Sequence, residues 1–161
     1  MIRLLVCVLA LFPTLTFAQV TIDCRIPDVA STFERLREEN QSFIVVQGSP
    51  EFDTAQRSAE TEYEFEFSGR FTGTALGIFG FNRPFDAAVT YRFTCASFTG
   101  ETMCGSLRPG VEILAFLERT DQGLTLVQPL CGDTVFRRYL DDHAKMARKC
   151  FLGIGCRSDY F

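Results

Sequence analysis

The stretch "TEYEFEFSGRFTG", residues 61–73, alternates with period 2: with Glu60 ahead of it, Glu60, Glu62, Glu64 and Glu66 take the even positions and Thr61, Tyr63, Phe65 and Phe67 the odd ones. Successive side chains of a strand face opposite ways, so this pattern predicts one half-buried strand from Glu60 to Phe67, with Tyr63, Phe65 and Phe67 inward. Carboxylates two apart on a strand lie about 7 Å from one another, farther than paired catalytic carboxyls sit in a retaining glycosidase. A straight strand also lacks the convergent loop oxygens that a cation site wants. The row therefore reads as a solvated face with Arg70, Arg92 or another base as cross-strand partner, ahead of an acidic docking surface. Gly69 and Gly73 let the strand bend or bulge, as a small barrel requires.

Outward from this strand the pattern repeats. "SFIVVQGSP" (42–50) is a strand apolar on both faces and closed by Gly48-Ser49-Pro50, and "EFDTAQRS" (51–58) is a polar connection. "TALGIFGFNRP" (74–84) reads as a turn or irregular hairpin. "FDAAVTYRFTC" (85–95) alternates, with Phe85, Ala87, Val89, Tyr91, Phe93 and Cys95 on one face. "GVEILAFLE" (110–118) is apolar on both faces from Ile113 to Leu117, as a central strand would be. Asp121-Gln122-Gly123 turns the chain into "LTLVQPLC" (124–131). Before these strands, "RIPDVASTFERLREEN" (25–40) reads as a helix, with Ser31 and Glu34 at capping-box spacing and Val29, Phe33 and Leu36 as its apolar stripe. After them, "FRRYLDDHAKMARKC" (136–150) is helical, with Phe136, Leu140, Ala144, Ala147 and Phe151 near 3.6 spacing. Lys145, Arg148 and Lys149 suit the C-terminal end of that helix. Five twisted strands with flanking N- and C-terminal helices predict a mainly β chain built on a small barrel of the oligonucleotide/oligosaccharide-binding (OB) type, the alternative being a two-sheet sandwich.

The chain has 161 residues with 17 Phe and no Trp, which predicts a core built on phenylalanine. Residues 1–18 carry Arg3 near the start, an apolar run broken by Pro13, and Thr16 and Ala18 at the two small positions ahead of a cleavage point. They read as a signal peptide, the run being shorter than the roughly 20 residues of a membrane span. The remainder, 19–161, is expected to be one soluble domain, secreted or periplasmic, with no membrane insertion after signal removal. Cys7 leaves with the signal. Cys24, Cys95, Cys104, Cys131, Cys150 and Cys156 stay, an even set that in an exported chain reads as disulfides rather than metal ligands. No C-x-x-C pair occurs, and the only histidine, His143, has no second histidine beside it. Without the one Arg of residues 1–18, 15 basic and 20 acidic side chains remain, a net charge near −5. That balance argues against nucleic acid and against an anionic membrane surface.

Candidates for chemistry are few. His143 as a general base would need a nucleophile or acid beside it; otherwise it is a helix-edge histidine favoured by Asp141 and Asp142. No G-x-S-x-G elbow, G-x-G-x-x-G loop or Walker-type lysine occurs. Arg137 and Arg138 with Lys145, Arg148 and Lys149 form a basic patch, more often the wet face of a helix than an anion site. Asn40-Gln41-Ser42 fits an N-glycosylation acceptor sequence. No cofactor or metal is expected.

The stretch "CGSLRPGVEILAFLERTDQGLTLVQPLC" (104–131) resembles the second half of the netrin-like domain shared with tissue inhibitors of metalloproteinases. There a Cys-Gly is followed by a strand, a turn ending in Asp-Gly, a second strand and a cysteine. Here Cys104-Gly105, "VEILAF" (111–116), "DQG" (121–123) and "LTLVQPLC" stand in that order. Upstream, "YEFEFSGRFTG" is similar to the family's strand ending in an aromatic-Lys-Gly turn, "SFIVVQGS" to its first strand, and Cys24 to its N-terminal cysteine. The resemblance implies a five-stranded barrel over residues 24 to about 156, with Cys24 tied to Cys104 or Cys131. Cys95–Cys104 is the alternative, a hairpin bridge, and Cys150–Cys156 would close a small terminal loop. In the family's inhibitors a free N-terminal cysteine chelates the protease zinc through its amine and carbonyl. This chain departs from that pattern: Ile26 stands where the Cys-x-Cys motif needs its second cysteine, and a mature start at Gln19 places five residues ahead of Cys24. The expected function is thus a non-enzymatic exported module binding a protein partner. The alternatives are a metalloprotease inhibitor acting through the Cys24 region, or a small secreted enzyme built around Glu64, Glu66 or His143.

Overall fold

The structure is a computed structural model that describes residues 24, 28–55, 58–61, 63–98 and 101–157, with the side chains of 58–61 and 98 left aside. The signal-peptide reading, Cys7, Gln19, Ile26 and Glu62 lie outside the described residues. In chain order the elements are α1 (Val29–Glu38), β1 (Phe43–Phe52), β2 (Ser58–Thr61), β3 (Glu64–Gly77), β4 (Gly80–Phe98), β5 (Glu101–Cys104), β6 (Ile113–Thr120), β7 (Gly123–Gln128), β8 (Val135–Phe136) and α2 (Leu140–Phe151). The sheet closes on itself as a five-stranded ring, β1–β3–β4–β7–β6 and back to β1. Every neighbour in the ring is antiparallel except β4 with β7, which run parallel. The five expected strands are the five of the ring. The short β2, β5 and β8 are additions at its margins.

Strand β6 explains the double-sided apolar pattern. Ile113, Ala115 and Leu117 belong to the core inside the ring, whereas Leu114 and Phe116 belong to a second core between the ring and the two helices. All five are fully buried. Val46 and Val45 on β1 divide in the same way. The inner core is aromatic at one end: Phe52 stacks on Phe67 at 5.3 Å, Phe65 on Phe93 at 5.1 Å, and Phe52 lies 4.7 Å from Tyr91. Tyr91 is fully buried, and its hydroxyl donates to the Arg70 carbonyl at 2.5 Å. Burial pushes that phenol above its ordinary pKa, so it stays a protonated donor. In the outer core Phe33 of α1 meets Phe43 and Phe116 edge-on at 5.2 and 5.4 Å.

Where β1 bends across β3, Gly48 pairs with Gly73. A Cβ on Gly48 would collide with the Thr72 carbonyl oxygen, and one on Gly73 with that of Gln47. Only glycine lets the two backbones come this close.

Four local expectations are corrected. The stretch 60–67 is not one strand: the chain turns at Tyr63, and Thr61 of β2 pairs back onto Glu64 of β3. Glu64 and Glu66 therefore share β3, Glu60 belongs to the neighbouring strand, and Tyr63 is 46% exposed instead of inward. The ring needs β3 to run the other way, from Glu64 to Gly77, so "TALGIFG" is strand up to Gly77 and turns only at Ile78-Phe79. The N-cap of α1 is Asp28, whose carboxylate accepts from the Ser31 N–H at 3.1 Å; Ser31 sits inside the first turn. Finally, Phe136 belongs to β8, paired with Leu114 of β6, so α2 starts only at Leu140 and Phe151 is 48% exposed. Pairing with a buried central strand overrides the helical period there.

Buried and exposed contacts predict unequal costs. Phe116→Ala, which empties a fully buried site between α1 and β8, is expected to lower stability by about 3–5 kcal/mol in urea unfolding with disulfides intact. Arg70→Ala, which breaks the half-exposed pair with Asp86, should cost less than about 1 kcal/mol.

Candidate functional site

All six cysteines from Cys24 onward are paired, as Cys24–Cys131, Cys95–Cys104 and Cys150–Cys156. Of the two partners that the resemblance implied for Cys24, it is Cys131, 107 residues away in the chain. Cys95 and Cys104 face each other across the β4–β5 hairpin. Cys150 and Cys156 close the end of α2 through Gly153 and Gly155, both in the left-handed region.

The Cys24–Cys131 bridge forms part of the wall of a cleft of about 670 Å³ at one end of the ring. Its floor follows from two Cys-Gly corners. Gly105, after Cys104, packs against the end of β7 so closely that a Cβ would strike the Gln128 carbonyl oxygen. Gly132, after Cys131, packs against the Gln128 side-chain amide. Gln128 is thereby held 8% exposed in the cleft wall, and its Oε1 has no hydrogen-bond partner among the described residues. The segment leaving β8 supplies the rim: Arg137, Arg138 and Tyr139, the last 76% exposed with a left-handed backbone, φ 53°. Arg137 donates to the Ser106 carbonyl oxygen, bridging the two walls. Burial, and Arg108 nearby, pull its guanidinium below the ordinary pKa.

Behind the cleft, α1 is fastened to the same loop. Thr32 Oγ1 donates to the Asp133 carbonyl at 2.7 Å, and the Arg35 guanidinium meets the Asp133 carboxylate at 2.9 Å. Hydroxyl and ion pair fix Asp133 against the N-terminal helix, while the disulfide fixes Cys131 to Cys24.

His143 also lines the cleft. Its ring lies 4.9 Å from that of Phe136, and burial lowers its pKa against the opposing pull of Asp28 and Asp142. Burial thus outweighs the carboxylates expected to favour its charged form, and Asp28, from α1's cap, takes the place of Asp141. Glu64 and Glu66 do not line this cleft. Glu66 instead meets Arg92, one of the expected bases, directly across the β3–β4 ladder at 2.6 Å, with its side chain only 16% exposed rather than on an open solvated face. The expected basic patch is split. Arg137 and Arg138 precede α2 and belong to the cleft, while Lys145 pairs with Asp142 along the helix. Asn40 of the acceptor sequence is exposed just past α1.

Gln128, Tyr139 and Ser106 escaped the sequence reading. The available signals were the repeated Cys-Gly dipeptide and a polar residue, Gln128, closing the strand directly ahead of Pro129. No protein-family model, curated protein or solved structure matches this chain.

The cleft histidine has a pH signature. Because its folded pKa lies below the ordinary 6.5, the unfolded chain takes up a proton near that pH while the folded chain does not. Stability is therefore expected to fall as pH drops below about 6.5. His143→Gln should flatten that part of the curve and leave stability above neutral pH with the same slope, read by urea midpoints across the range.

Proposed function

We propose that this chain is an exported, non-enzymatic interaction module with a netrin-like barrel, and that it holds a protein partner in the cleft beside Cys24–Cys131. The observation that carries this reading is the Gln128 Oε1, a buried acceptor without a partner in the wall of a cleft. An orphaned buried acceptor costs about 1–3 kcal/mol, and a turn of the Gln128 side chain into the cleft would let a partner's donor relieve it. A protein segment brings such donors in its backbone N–H groups. The rim is of the kind that anchors protein interfaces, an exposed tyrosine with two arginines, Tyr and Arg being frequent hot-spot residues. Supporting the family reading, the sheet closes as a five-stranded ring with flanking helices, in accord with a small barrel of the OB type. Three bridges in a small domain accord with an oxidising, exported setting.

The metalloprotease-inhibitor reading has one observation in its favour: Cys24 is exposed and lies on the cleft. It requires trimming to a free Cys24 amine. Intact mass and the N-terminal residue of the exported protein decide between the two. A start at Gln19 leaves the binding module; a start at Cys24 calls for a protease panel.

A photo-crosslinking residue in place of Tyr139 is expected to trap one discrete protein in the exported fraction, whereas the same residue at Gln122, in the β6–β7 turn, should trap none. With that partner purified, Arg138→Ala combined with Tyr139→Ala should weaken binding by about 2 kcal/mol or more without lowering the unfolding midpoint. Gln128→Leu should keep or raise stability and also weaken binding. Undiminished affinity in both variants would remove the cleft from consideration.

A further inference from the structure

The β3–β4 hairpin presents a second surface, away from the cleft residues. Gly77 pairs with Gly80, and the two residues between them are Ile78, 64% exposed, and Phe79, 81% exposed. Turn chemistry does not ask for them. Only Gly80, at φ 96°, has a positive φ in this turn, so the corner positions would accept the polar residues usual there. Neither belongs to either core. Phe151, at the end of α2, lies against the same hollow and extends the apolar surface. Such contiguous exposure of large apolar side chains marks a contact surface.

The cations around the tip are also uncommitted. Arg83 lines the same hollow, and the Arg148 side chain reaches to 3.9 Å of the Cβ position at Gly80. Neither takes part in any ion pair among the described residues, although Arg35, Arg70, Arg92 and Lys145 all do. We propose that this hairpin tip seats the protein on an anionic phospholipid surface, with Ile78 and Phe79 dipping below the headgroups while Arg83 and Arg148 meet their phosphates. Bulky apolar residues on an exposed turn, flanked by two long basic side chains, match the interfacial layer of a bilayer, which is apolar below and phosphate-rich above. A second protein would want about 800 Å² of complementary surface, which a two-residue tip does not offer. The net charge of −4 opposes such binding for the chain as a whole. The contact is therefore oriented, confined to the tip and sensitive to salt.

The chain contains no tryptophan, so Phe79→Trp supplies a single fluorophore at the tip. With the disulfide-intact full chain at low salt, its emission is expected to shift to the blue on adding phosphatidylcholine–phosphatidylglycerol vesicles, and to stay put with phosphatidylcholine alone. Vesicle flotation of the otherwise unaltered protein should follow the same pattern. Ile78→Ser with Phe79→Ser, and separately Arg83→Gln with Arg148→Gln, should each reduce flotation about tenfold at an unchanged unfolding midpoint. Failure of the unaltered chain to float with anionic vesicles, or undiminished flotation of the serine variant, overturns the proposal. So does a dimer in sedimentation that the serine variant dissolves without lipid, since the tip would then belong to a second copy.

Discussion

Leu114 and Phe116 face the helices while Ile113, Ala115 and Leu117 face the interior of the ring, so one five-residue run of β6 supplies the seam between two cores. A strand in that position can carry no polar residue on either face, because there is no water on either side to receive it. The neighbours follow from it. β1 and β7 pair along β6 and continue the ring, β8 adds to it from outside, and α1 and α2 cover the face that Leu114 and Phe116 leave apolar. Without the helices that face would be an exposed apolar patch; without the ring the helices would have nothing to bury their stripes against.

The cleft is a by-product of the same arrangement. Because Val135 and Phe136 are drawn into pairing with β6, the chain must leave the sheet and turn sharply before α2 begins. Arg137, Arg138 and Tyr139 are the residues caught in that turn, and their exposure comes from the path of the backbone. On the opposite wall, the two Cys-Gly corners press on the end of β7 and hold Gln128 inside. The Cys24–Cys131 bridge and the ties from Thr32 and Arg35 to Asp133 then fix the loop between them. A site built this way is rigid before any partner arrives, which limits the ordering entropy lost on binding.

The hairpin tip obeys a different logic. β3 and β4 are long because they form the curved wall of the ring, and their far end lies beside the end of α2 with Ile78 and Phe79 left exposed. Residues there escape the demands of packing, so their chemistry is free to serve a contact. Phe151 meets that tip because α2 ends beside it, tied back by the Cys150–Cys156 loop.

Read alone, the sequence determined the ring strands, since alternation and double-sided apolar runs record burial directly and burial is what orders a sheet. It also determined that the cysteines from Cys24 onward form disulfides, whereas the base opposite Glu66 stayed open between Arg70, Arg92 and others until the β3–β4 register chose Arg92. The break at Tyr63, the strand state of Phe136 and the choice of Cys131 for Cys24 were settled only by tertiary structure. In each case local period or composition permitted two answers, and long-range pairing chose between them: β2 folding back on β3, Phe136 on Leu114, Cys24 across 107 residues to Cys131. The cleft was illegible for the same reason. Cys24, Ser106 and Gln128 are far in the chain from the segment that carries Arg137, Tyr139 and His143, share no motif with it, and become its neighbours only once the ring has closed.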